Sequence, residues 1–180
     1  MIRWLFAAIL LVAIAPLPAA AQSTPLPLSA FFGKFSGSGI AHSEDSAYFN
    51  ATVRDLDVEI RPEGNGFKIT WTTLLRQGGA IGRPETRRRS TTRTFRPTAA
   101  PNVFHVAGAG SPLEGKELSW ARIEGTSLII HTMSVGDDGR YVIQSYTRTL
   151  SSGGMDLIFV RIDEGETTRN VNGRLSRDGR

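Results

Sequence analysis

The sequence predicts an all-β protein, a single antiparallel up-and-down β-barrel of about 8–10 strands, with a two-sheet sandwich as the alternative. Three observations predict it. Phe67, Ile69, Trp71, Thr73 and Leu75 alternate with Lys68, Thr70, Thr72 and Arg76, the period of a half-buried strand. Glu63-Gly64-Asn65-Gly66 and Gly136-Asp137-Asp138-Gly139 each sit between two such runs, where Gly and Asn or Asp favour a hairpin turn. Beyond the N-terminal segment, no stretch keeps a helical period over three turns.

That N-terminal segment is an address. Arg3 supplies the only charge before an apolar run from Leu5 to Ala15, and Pro16, Pro18 and Ala19-Ala20-Ala21 follow. A basic start, about ten apolar residues and an A-x-A site make a secretory signal peptide, so cleavage is expected after Ala21. The run falls short of the ~20 residues of a spanning helix, and no later segment is long or apolar enough to span a bilayer as a helix. The expected address is periplasmic or secreted, in a bacterium. With residues 1–21 removed, about 160 residues remain, enough for one core and too few for two ordinary domains. There is no cysteine, so the core must hold the exported fold without disulfides.

The elements then run in order. Residues 22–30 form an extended leader, and 28–33 could make one helical turn. Strands are expected at roughly 34–42, 46–61, 66–76, 87–97, 102–107, 116–124, 127–135, 140–150 and 155–163. The second carries a phase slip. Ala47, Phe49, Ala51 and Val53 share one face, whereas Leu56, Val58 and Ile60 continue on the other parity, and a β-bulge near Arg54-Asp55 would restore one apolar face. The β-barrel domain is expected over 31–164, with 165–180 as a polar C-terminal tail, either a frayed end or a weak last strand. Connections this local favour a barrel, which also removes the exposed edges of an open sheet.

Phe31-Phe32-Gly33-Lys34-Phe35-Ser36-Gly37-Ser38-Gly39 resembles the opening of calycin-type barrels: lipocalins, fatty-acid-binding proteins and nitrobindin-like haem barrels. Those begin with a turn of helix, then Gly-x-Trp and small residues, and Phe35 stands here where they have Trp. The resemblance implies an internal ligand cavity. It also implies a basic residue packed over the first-strand aromatic, a role Arg161 could fill.

Charge and motifs narrow the function classes. The chain has 21 basic and 17 acidic residues and only three lysines, Lys34, Lys68 and Lys116; loss of Arg3 lowers the net charge from +4 to +3. That is too weak and too free of interleaved aromatics for a nucleic-acid face, and nucleic acid is not expected as a partner. No His pair has zinc spacing, and no HExxH or GxSxG occurs. Neither a metal, a cofactor nor an enzymatic activity is expected. His131 shares parity with Ile129 and Met133, so haem ligation would require that face to be the interior. His42 and His105 carry no such pattern. Asp55, Asp57 and Glu59 alternate with Leu56 and Val58 and read as a solvated strand face.

Arginine is the unusual feature. Arg87, Arg89 and Arg93 share one side of the run 86–96, with Arg88 and Arg96 on the other. Such a run is either an exposed strand protected by charge or one wall of a polar cavity clamping a carboxylate or phosphate. For a bound small apolar or amphiphilic molecule, the expected ligand-binding residues are Arg87, Arg89, Arg93 and Arg148. The expected apolar wall is Phe49, Phe67, Trp71, Trp120, Ile130 and Ile143, with Phe159. The alternative is a solid envelope scaffold whose basic outer face meets an acidic protein or membrane surface.

Overall fold

The computed structural model describes residues 24–43, 51–76, 86–108 and 110–179. The expected signal segment, residues 1–21, and Phe49 lie outside them. Ten antiparallel strands close into one barrel: β1 (Gly33–Ser43), β2 (Ala51–Glu63), β3 (Gly66–Arg76), β4 (Thr86–Pro97), β5 (Val103–Val106), β6 (Leu118–Glu124), β7 (Ser127–Val135), β8 (Tyr141–Ser151), β9 (Gly154–Asp163) and β10 (Glu166–Arg177). Each strand pairs with its sequence neighbours, and β1 pairs with β10 to close the ring. The two expected hairpins form, with Glu63 opposite Gly66 and Val135 opposite Tyr141. Gly64, with φ 59°, takes the left-handed conformation that the tight β2–β3 turn demands.

Two expectations are decided on the backbone. Of the polar tail's two readings, a frayed end or a weak last strand, the second holds: residues 166–177 are the closing strand, in register with β1 from Phe35–Arg177 to Ser43–Arg169. Their inward positions are Arg169, Val171, Gly173, Leu175 and Arg177, so only two large apolar side chains mark the strand. The bulge near Arg54 is absent. The β1–β2 register is continuous from Gly33–Ile60 to His42–Ala51. Val53 instead turns outward, 64% exposed, and Arg54 takes the inward parity with Leu56, Val58 and Ile60. The apolar phase slips because the interior itself turns polar at that end. The irregularity that does occur lies in β10, between Thr167 and Arg169.

Apolar side chains fill the other end. Phe67 stacks on Phe95 at 4.9 Å and meets Phe104 edge-on at 5.3 Å, geometries worth about 0.5–1.5 kcal/mol each beyond burial. Ile60, Ile69, Leu128, Ile130, Met155 and Leu175 are buried around them. A single 3-10 turn, Leu28–Phe31, plugs this end with Phe31 fully buried. Arg177 secures the plug. Its Nη1 and Nη2 donate to the carbonyls of Phe32 (2.5 Å) and Ala30 (3.0 Å), and its guanidinium sits 4.5 Å from the centroid of the Phe35 ring. The basic residue over the first-strand aromatic is therefore Arg177, not Arg161, because β10 rather than β9 borders β1.

Candidate functional site

The barrel stays open at the end where β2 and β10 begin and β3 and β9 finish. A cavity of about 410 Å³ enters from there, within the range of small-molecule sites. Its shape begins with glycine. On β1 and β10, Gly39 and Gly173 leave the inner wall bare, and Leu56 lies across it. A Cβ on Gly173 would come within 2.7 Å of the Leu56 Cδ1. Leu56, Val58, Trp71, Leu75, Leu157, Phe159 and Val171 supply the apolar lining.

Arginine supplies the rest. Arg54, Arg87, Arg89, Arg148, Arg161 and Arg169 border the cavity, and Asp57 is the sole acidic residue among the described residues that do so. Arg87 and Arg89 share the inward parity of Phe95 and stand exposed towards the mouth. Arg93 is on the same face, further in, where it pairs with Glu117 and lies 5.8 Å from the Trp71 ring centroid. Arg161 donates to Asp163 at 3.0 Å. That pair and Thr168 hold the Asp163 carboxyl below its ordinary range.

Arg148 differs from all of these. It is 0% exposed, the largest fully buried side chain among those described. Strand β8 alternates Gln144, Tyr146 and Arg148 inward, each opposite an inward residue of β7: Thr132, Ile130 and Leu128. Its guanidinium lies 5.4 Å from the Trp71 centroid and 5.2 Å from that of Tyr146. Its Nε, Nη1 and Nη2 are all buried without a hydrogen-bond partner among the described residues. Burial pushes its pKa down to about 10, partly opposed by the Tyr146 hydroxyl. It remains a cation at neutral pH. Two π faces stabilise it by about 2 kcal/mol or more when desolvated, but a buried guanidinium without an anion stays costly.

The aromatic residues form a ladder across the interior. Trp71 and Tyr146 are 5.2 Å apart, Tyr146 and Phe159 4.7 Å. The Tyr146 hydroxyl donates to Gln144 at 3.1 Å, and burial raises its pKa despite Arg148 and Arg93 nearby.

The sequence-derived residues therefore separate into groups. Arg87, Arg89, Arg148, Trp71 and Phe159 meet at the cavity, and Arg93 stands beside it. Phe67 and Ile130 point inward but belong to the filled end. Trp120 and Ile143 are corrected to the outer surface, since inward parity on β6 belongs to Ser119, Ala121 and Ile123 and Ile143 opposes Met133. His131 is outside with them. Its ring is 5.0 Å from Trp120, its Nδ1 shares a hydrogen bond with the Ser145 hydroxyl at 2.9 Å, and burial, then Arg122, lowers its pKa. The face that haem ligation needed as interior is exterior. Sequence reasoning missed Arg54, Tyr146 and Arg169. Parity could have found the first two, because Arg54 is in phase with Leu56 and Tyr146 with Arg148.

No protein-family model matches the chain, and no curated protein matches it in sequence. Solved structures do. A protein of unknown function from the DUF3598 family of Nostoc punctiforme aligns with TM-score 0.56 at 12% identity, over 87% of this chain and 51% of its own. The likeness is one of fold, which in this chain is a closed ten-strand antiparallel barrel. This chain spans about half the length of that Nostoc protein. The S-type phycobiliprotein lyase CPES of Guillardia theta aligns more loosely, with TM-score 0.40 and 8% identity over 85% of this chain and 91% of that one. At these identities the likeness concerns the fold.

Proposed function

We propose that this barrel binds a small amphiphilic anion, its acidic head on Arg148 and its apolar body against Leu56, Trp71, Phe159 and Val171. The observation that carries the reading is the buried Arg148 guanidinium, bordering a cavity open to solvent, with no anion among the described residues to neutralise it. Arg177 is also held against an aromatic ring, but it spends its donors on carbonyls of the plug. Arg148 keeps all of its donors. A carboxylate or phosphate head would accept charge-assisted hydrogen bonds from the fork and lift the burial penalty in the same step. Arg87 and Arg89 at the mouth draw the anion towards the opening. With its leader removed, the protein would do this in the periplasm or outside the cell.

Native mass spectrometry with dodecanoate, dodecanol and dodecylamine tests the reading. Dodecanoate is expected to bind one to one and the amine not at all. Arg148→Met should weaken the acid by about thirtyfold or more, the loss of about 2 kcal/mol that follows removal of one member of a buried charged pair. Equal retention of the amine, or no complex with any of the three, would overturn it.

A further inference from the structure

We infer that the ligand carries a second anionic group, held nearer the mouth by Arg54 and Arg169. The inference rests on the acid-binding reading above and extends it to a class: molecules with an apolar middle and an acid at each end.

The two arginines converge from strands on either side of β1. Arg54 is the inward residue of β2 opposite Gly39, and Arg169 the inward residue of β10 opposite Ser43. On that face the intervening strand contributes only Gly39, Ala41 and Ser43. The two cations are near enough that Arg169, after burial itself, lowers the pKa of Arg54. Like charges brought together at a partly buried site oppose folding unless an anion joins them. Each has a buried Nε without a hydrogen-bond partner among the described residues, and neither forms an ion pair there.

Elsewhere the chain supplies its own counter-ions. Arg93 has Glu117, Arg122 has Glu124, Arg161 has Asp163 and Arg174 has Asp156. Arg87 and Arg89 also lack a partner carboxylate among the described residues but stand exposed at the mouth; the unpaired cavity arginines with buried donors are therefore Arg148 at depth and the Arg54–Arg169 pair towards the opening. Between them lie apolar groups. Leu56 follows Arg54 by one inward step on β2, Val171 follows Arg169 on β10, and Phe159 is opposite both Val171 and Tyr146. Charge, apolar surface and charge thus succeed one another along the barrel. A monoanion seated on Arg148 would leave the outer pair repelling; a dianion would place a negative charge at both centres and bridge the outer pair.

Isothermal titration of the purified protein with dodecanoate and dodecanedioate at neutral pH separates the two readings. Dodecanedioate is expected to bind at least tenfold tighter than dodecanoate. In the Arg54→Gln/Arg169→Gln double variant that advantage should vanish, the diacid falling to the affinity of the monoacid. The monomethyl ester of dodecanedioate, equal in length but with one charge, should bind wild type like dodecanoate, a check that requires no variant to fold. A diacid no tighter than the monoacid, or an advantage surviving in the double variant or the ester, overturns the second anion site. Arg148-dependent dodecanoate binding would then still stand. Wild type that binds neither acid overturns both readings.

Discussion

Arg148 concentrates the conflict between stability and function in one side chain. Burial lowers its pKa to about 10, which corresponds to a penalty of about 3 kcal/mol in the unliganded barrel. Contacts with Trp71 and Tyr146 offset part of the cost of burial. Arg148→Met nearly keeps the volume and removes the charge, and is expected to stabilise the empty protein by about 1–3 kcal/mol while weakening acid binding by about thirtyfold or more. The pH dependence has a definite sign. Above about pH 10, up to the ordinary guanidinium range, the unfolded chain holds a proton on Arg148 that the folded chain has released, so wild-type stability gains with pH in that window. The advantage of the variant should be full below pH 10 and shrink above it, as read by urea denaturation of both proteins across pH 8–11. A variant less stable than wild type at neutral pH would show that the two π faces already satisfy the guanidinium. Little of this was legible in the sequence. Parity places Arg148 on the face of Tyr146, but burial arises from strands far along the chain closing around it. Arg87 and Arg89 were easier to find because four arginines within seven residues stand out locally.

The ends of the strands carry the division between plug and site. At the closed end, inward positions hold large apolar residues and period-2 alternation is clear, so β3, β6 and β7 could be read from sequence alone. At the open end, the same inward positions hold Arg54, Arg87, Arg89, Arg161 and Arg169, and hydrophobic alternation gives no signal. That is why β2 suggested a bulge where its register is continuous, and why β10 read as a tail. Strand β10 also ends in the residue that ties the plug down. Arg177→Met would lose hydrogen bonds to the carbonyls of Phe32 and Ala30 and a cation over Phe35. The expected cost is about 2–3 kcal/mol, seen as a lower urea midpoint with unchanged slope. Because Arg177 lies at the far end from the cavity, dodecanoate affinity of the folded variant should match wild type. A loss of affinity as large as that of Arg148→Met would place Arg177 in the site instead.

At the scale of the whole molecule, the barrel has one end sealed by phenylalanine and one opened by arginine, and the chain enters at the sealed end. The N–H of Leu26 donates to the carbonyl of Gly125 at 2.8 Å, and Leu26 and Leu28 pack against the core. The expected cleavage after Ala21 therefore falls a few residues before the first contact with the barrel. Removal of the leader would leave every described contact intact. Expressed with its full leader in a bacterium that has a secretory pathway, the protein is expected in the periplasmic or secreted fraction with Gln22 as its first residue. Intact mass and N-terminal sequencing read both. Cleavage beyond Leu26 would remove residues that close the barrel and should lower the thermal midpoint. A chain that keeps Met1 and remains in the cytoplasm would overturn the address and move the search for its anionic ligand inside the cell.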